Sequence, residues 1–362
     1  MTTIRISDPL DLVTVVPYHL GFRPHRSLVV LGLRGTRLDL AQRLDLPEDP
    51  ADCPHAAALL VGHCRSHGAT AVVLVGYEER AGEARPALDA VSRHLAGTGI
   101  RVLDRIVVHG GRAYPIDAAD RRLAHDGMAL PAENRVAAVA DYVAQGRVPV
   151  ASREHLAALV AAEPGPLTER VAAVMALHPR APDEAAVADP TERSTGLAAW
   201  GRFLDVTDAR WFGRRPPGPA TVARMLDLLR DHAVRDLLVA WLAPGSLGVD
   251  AFDPPLVRLA ALRLPGGTPW RPVDGSSGRA GLDLGEREGR LRTRLCWLAR
   301  HSPPSRAPAG LALLASFAWH HGEGALARVA LDRALAIDPD YRLAVLLERV
   351  VELGIRPGGR AA

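Results

Sequence analysis

Lysine is absent from this chain of 362 residues, and all 44 basic side chains are arginine. That absence excludes three chemistries within the chain. A pyridoxal-phosphate Schiff base, a Walker A phosphate loop and a protein-kinase site each require a lysine amine. Asparagine occurs once, at Asn134, and aromatic residues make up only 4%. With 33 glycines and 29 prolines beside abundant alanine, this composition reads as the codon bias of a GC-rich genome. Cysteine is scarce and odd in number (Cys53, Cys64, Cys296), which provides no disulfide framework and fits a reducing compartment. No apolar run approaches the ~18 residues that span a bilayer. The opening "MTTIRISDPLD" lacks the basic and apolar regions of a secretory signal, so a cytoplasmic location without membrane contact is expected. The elbow G-x-S-x-G, the zinc motif H-E-x-x-H and the EF-hand loop are missing too, and no motif calls for a cofactor.

What is present has the make-up of an ordinary globular protein, with 48% hydrophobic and 23% charged residues. The pI near 9.0 accompanies a formal net charge of only +3, which argues against a nucleic-acid partner. The densest basic stretch, "GRLRTRLCWLAR", puts Arg290 and Arg294 one helical turn apart and reads as a solvated helix face.

Asp8–Pro9 is a helix start, and Leu10, Leu12, Val13 and Val16 follow at amphipathic spacing. Pro17 predicts a break or kink, with a last turn through Leu20 and Gly21 as the cap. "SLVVLGL" (27–33) is a buried strand, "RGT" a turn, and "RLDLAQRLDL" (37–46) its antiparallel partner. A helix over 51–67, strand 71–77, helix 84–97 and strand 101–111 then make a βαβ unit with parallel strands. The expected fold is an α/β domain with a mixed sheet (a β-hairpin plus βαβ) over 1–133. An all-α domain over 134–362 follows, with helices at 135–145, 152–162, 167–177, 219–242 and 307–353. The stretch 179–196 reads as a linker, and 265–289, rich in Gly and Pro, as a mobile loop. Within 307–353, Leu314, Ala315, Gly322, Ala327, Leu331, Ala334 and Pro339 fall at the small, apolar and proline positions of one tetratricopeptide-like helical hairpin. One unit is too few for a solenoid.

The block "VVPYHLGFRPHRSLVVLGLRG" (15–35), the following "RLDLP", the "VRD" near 234 and the C-terminal "ALARVALDRALAIDPDYRLAVLL" together resemble the bacterial family DUF4192. The resemblance spans nearly the whole chain and brings no activity with it. Relatives often carry a Trp and a Cys-Cys-Pro segment after the strand that here leads into Arg112. In this chain Ala113 and Tyr114 stand there without cysteine.

Four groups of residues are candidates for function. Open α/β sheets gather ligands beyond the carboxyl ends of parallel strands, here Tyr77 and Glu78 after one and His109 and Arg112 after the other. Glu78 suits a base, His109 a proton carrier and Arg112 an anchor for an anionic small molecule. Their plain alternative is a pair of glycine turns with charged flanks. Cys53, His55, His63, Cys64 and His67 offer zinc-type ligands, but their spacing matches no zinc module, so metal is not assigned. Arg43, Asp45, Arg235 and Asp236 are candidates for ion pairing between the domains; Arg235 and Asp236 project about 100° apart and need not pair with each other. In the opening block, His19, Arg23 and His25 alone have no structural job. "WFGRRPPGP" (211–219) reads as a loop, and Trp200, Trp211 and Trp241 as helical core. "GEGALA" (322–327) matches a dinucleotide fingerprint but lies between helices, which disqualifies it. The sequence leaves catalysis open and favours a non-catalytic interaction or regulatory protein with a protein partner.

Overall fold

The computed structural model describes residues 9–35, 37–177, 187–207, 216–266 and 284–355. Two compact units result, Met1–Arg153 and Glu154–Ala362. The division falls later than position 133 because α5 (Ala137–Ala144) buries Val139 and Tyr142 against Val15 and Tyr18 of α1 (Pro9–Leu20).

The first unit is built on a six-stranded sheet of order β2-β1-β3-β4-β5-β6. Its hairpin is β1 (Ser27–Arg34) and β2 (Arg37–Asp45), and β1 also pairs antiparallel with β3 (Ala71–Tyr77). The expected parallel pair is β3 and β4 (Arg101–His109), joined through α3 (Arg85–Leu95). Alternation in β1 decides the layering. Leu28 and Val30 face α2 (Cys53–Ser66) and α3, whereas Val29 and Leu31 face Leu12, Val13 and Val16 of α1.

Two local expectations are corrected. The helix α1 runs uninterrupted through Pro17 to Leu20. Proline has no N–H for the carbonyl four residues back, here Val13, and the buried Tyr77 hydroxyl stands 3.5 Å from that oxygen as a substitute donor. Gly21, at φ +81°, closes the helix by donating to the Pro17 carbonyl at 2.8 Å. The start at Asp8 lies outside the described residues. The fourth strand ends at His109 rather than 111, since Gly110 and Gly111 (φ +56° and +74°) form a two-residue turn into β5 (Arg112–Pro115), with His109 opposite Arg112. A short helix α4 (Arg121–Asp126) and strand β6 (Met128–Ala129) complete the sheet.

The second unit is helical. After α6 (Arg153–Ala158) and α7 (Pro166–Ala176) comes α8 (Pro190–Leu204), which takes up the expected linker from residue 190 onward. Asp189 and Glu192 form a capping box on it, a signal already present in "DPTE". The expected helix 219–242 is two, α9 (Pro219–Leu228) and α10 (His232–Leu242). Asp231 separates them: 3% exposed, it caps α10 at the Ala233 amide (3.1 Å) and holds the Arg193 guanidinium at 2.8 Å. Next come α11 (Pro254–Arg263) and α12 (Leu284–Arg300), so the expected mobile loop is helical from Leu284. Its residues 267–283 lie outside the described residues, as do 179–186 of the linker, Thr36 of the first turn, and 211–215 with Trp211. The chain closes with α13 (Ala307–His320), α14 (Gly324–Ile337) and α15 (Arg342–Glu352). Trp200 is fully buried and donates to the Met225 carbonyl at 3.1 Å.

Candidate functional site

The register Ser27 opposite Tyr77 brings the "FRPHR" loop of the opening block to the carboxyl end of β3. Two clusters that the sequence keeps apart therefore share one edge of the sheet. His25 Nε2 lies 2.7 Å from Glu79 Oε1, and Arg26 Nε lies 3.4 Å from Glu83 Oε2. Burial alone would raise the Glu83 carboxyl; backbone donors at Glu79 and Arg80 and the Arg26 guanidinium outweigh it and hold it below its ordinary range. Arg26 has φ +37°, the one positive value among described residues other than glycine. At that bend its carbonyl accepts from the Leu46 amide at 2.9 Å, so the strain serves to start the hairpin.

Each ligand candidate is already engaged by this unit's own backbone. Tyr77 is buried against α1, and desolvation pushes its hydroxyl far above the ordinary value. The Glu78 carboxylate accepts from the Gly82 and Ala84 amides, both at 2.9 Å, and so shapes the loop into α3. His109 Nδ1 stands 3.4 Å from the Glu78 carbonyl. Arg112 donates at 3.0 Å to the carbonyls of Asp126 and of Gly127, closing the end of α4. The four are neighbours along the edge, yet their polar atoms point into different backbone segments.

The residues of the opening block read as unengaged have partners as well. Tyr18 donates to Glu133 Oε2 at 2.6 Å, and Arg23 reaches Glu133 Oε1 at 2.8 Å. The Tyr18 hydrogen bond, with help from Arg23, keeps the Glu133 carboxyl low against the opposing effect of burial. His19 Nδ1 shares a 2.7 Å hydrogen bond with the Tyr142 hydroxyl, and burial, then the nearby Arg147, lowers its pKa to about 4. The partners Glu133 and Tyr142 lie more than 100 residues away, beyond any local signal.

His19 carries a pH prediction. Its folded pKa lies below the unfolded value near 6.5, so the unfolded chain takes up the proton first. Stability is then full above pH 6.5 and falls as pH drops toward 4, by about 2 kcal/mol at pH 5. Urea denaturation of the His19→Gln chain should show a shallower loss between pH 7 and 5 than wild type. Parallel curves would remove His19 as the cause.

The zinc-type residues are dispersed in role. Cys53 and Cys64 are buried free thiols, with Cys64 pushed up to about 11 by burial. His63 bonds the Gln42 side chain at 2.7 Å, and His55 is exposed. Among the described residues, no group of three or more His, Cys, Asp or Glu could hold a metal ion. The ion-pair candidates each close within their own unit. Arg43 binds Asp45 and the Ser27 hydroxyl and lies over the Phe22 ring, 5.7 Å from its centre. Arg235 curls back onto adjacent Asp236 through two bonds of 2.9 and 2.8 Å, which the 100° offset had not suggested.

A six-stranded mixed sheet with helices on both faces, followed by a helical unit, defines a two-unit α/β-plus-α protein. The family model described as "Domain of unknown function (DUF4192)" matches residues 9–253 and 280–358, and the chain belongs to that family. No curated protein and no solved structure matches it.

Proposed function

We propose that this chain is a non-catalytic interaction or regulatory protein of the bacterial cytoplasm, whose helical unit takes a protein partner. One observation carries the reading: on α15, Leu346 is 49% exposed, and Leu353 and Ile355 just beyond are 60% and 50% exposed. Leu346 and Leu353 stand two turns apart on one helix face, and large apolar side chains left in water at such a repeat mark an interaction surface. The tetratricopeptide-like spacing of α13 and α14 supports the same role, since such hairpins present helix faces to partners. Three buried thiols fit a reducing compartment, and no described helix is long and apolar enough to cross a membrane. Against the alternative, an anionic small molecule or substrate at Tyr77, Glu78, His109 and Arg112, stand the backbone bonds that already occupy those groups.

The test is quantitative co-purification from the native cell with the Leu346→Glu/Leu353→Glu chain beside wild type. Both positions are solvent-facing, so unfolding free energy should shift by no more than about 0.5 kcal/mol. The expected result is loss of a stoichiometric partner with stability retained. Equal capture by both chains would sink the assignment.

A further inference from the structure

The exposed side of α15 is not simply apolar. The exposed Arg342, Leu346 and Arg349, with Leu353 at the residue that caps the helix, follow one another in steps of four, three and four, which places them in one narrow arc, while the exposed Glu352 lies to one side of it. Guanidinium and leucine alternate along a continuous stripe. The acidic residues of the same helix do not neutralise it: Glu348 and Glu352 are drawn to Arg328 of α14, at 3.1 and 3.2 Å. Among the described residues neither Arg342 nor Arg349 has an ion-pair partner within 4 Å. Arg342 also stands at the first position of α15, the positive end of the helix dipole, where a cation is disfavoured by a few tenths of a kcal/mol. Folding gains nothing from that placement.

Resting on the reading that α15 meets a protein partner, we propose that the partner supplies an acidic amphipathic helix. Its leucine-type side chains would cover Leu346 and Leu353, and its carboxylates would pair with Arg342 and Arg349. The two leucines, seven residues apart, and the two arginines fall at the two alternating positions of one helix–helix seam, so a partner helix laid along it meets an apolar and a cationic side chain in turn. Arginine suits the task, because its planar fork binds carboxylates bidentately. The same charge disfavours a second copy of this chain, which would bring arginine against arginine.

The full chain is titrated with a fluorescent helical peptide carrying leucines at steps of four, three and four among glutamates, and with its twin in which lysine replaces glutamate. The acidic peptide is expected to bind at least about tenfold tighter, with the advantage fading as salt rises. Arg342→Glu/Arg349→Glu should invert the preference; the dipole gain at the start of α15 offsets the loss at Arg349 in its last turn, and both side chains are exposed, so the variant is expected to fold, which its denaturation curve checks. Equal binding of the twins, no binding of either, or a preference unchanged by charge reversal overturns the proposal. So does tighter binding to phosphatidylglycerol vesicles than to the acidic peptide, which would make the stripe a lipid contact, or concentration-dependent dimerisation abolished by the reversal. Any of these leaves the protein-partner reading standing if Leu346→Glu/Leu353→Glu still loses its native partner. Failure of that co-purification alone would strike the reading instead.

Discussion

Gly201→Ala is expected to destabilise the helical unit by at least about 3 kcal/mol, the upper range for overpacking a rigid site. A Cβ at Gly201 would lie 1.9 Å from the carbonyl oxygen of Arg263 and 3.0 Å from its carbon. The obstacle is main chain at the end of α11, which cannot turn aside as a side chain does. Two other glycines calibrate the effect. At Gly196, on the same helix, the Cβ would meet Leu228 Cδ2 at 2.6 Å, the far end of a flexible side chain, and a loss of about 1 kcal/mol is expected. At Gly62, in α2, nothing lies within 4 Å, so alanine should stabilise by up to about 1 kcal/mol. Chemical denaturation of the three variants checks the order. If Gly201→Ala loses no more than Gly196→Ala, the close approach of α8 to α11 is wrong.

The same contact shows where sequence stops being informative. Continuous apolar runs mark β1 and β3 to within a residue, because a strand buried on both faces has nowhere to place a polar group, and the βαβ spacing marks β4, which is buried mainly in its second half, to within two. A cap-and-proline pair points to one helix start, Asp8–Pro9, whereas the same kind of signal in "DPTE" at 189–192 opens α8 inside the stretch that reads as a linker. The break at 229–231 is hidden because Arg230, Asp231 and His232 would suit the exposed face of one continuous helix, and only the burial of Asp231 reveals it as a new cap. Gly201 and Gly196 were equally silent, since a glycine inside a helix lowers propensity whether it faces water or another backbone.

The candidate site divides in the same way. Tyr77, Glu78, His109 and Arg112 lie at the carboxyl end of β3 and β4 and the turn into β5, a proximity that follows from the local order of a βαβ unit. What each side chain bonds is backbone: local for Glu78 and, across the 110–111 turn, for Arg112, but distant for His109, which meets the Glu78 carbonyl, and for Tyr77, which meets that of Val13. In contrast, Tyr18, His19 and Arg23 are drawn together by Glu133 and Tyr142, which no spacing rule connects to them. The stripe on α15 was within reach. "YRLAVLLERVVEL" contains Arg342, Leu346, Arg349 and Leu353 in plain helical phase, but which arc of an amphipathic helix is outermost depends on the helices packed behind it.

Arg294→Ala is expected to cost about 4 kcal/mol, and Arg294→Met about 3, although both change a residue in the stretch that reads as a solvated basic face. In the structure Arg294 is 2% exposed and donates to two carbonyls, those of Phe203 at 2.6 Å and Asp205 at 2.8 Å. One turn earlier on α12, Arg290 donates to the next carbonyl, that of Val206, at 3.0 Å. These oxygens belong to the last turn of α8 and the residues just after it, where carbonyls lack intrahelical donors and the helix dipole is negative. A guanidinium there satisfies several acceptors at once and keeps its own charge compensated in the interior. Removing it loses two charge-assisted bonds, worth about 1.5–3 kcal/mol each, and leaves the oxygens without a donor. Methionine fills most of the volume but restores neither bond, which sets the order of the two variants. Arg290 is partly exposed and shared with Glu286 at 2.6 Å, so Arg290→Met should lose only about 1 kcal/mol. Raising salt should weaken the Arg290 contribution and leave that of Arg294 nearly unchanged, because buried bonds are poorly screened. A solvated arginine predicts losses under about 0.5 kcal/mol at both positions, and denaturation curves showing that result would refute the clamp.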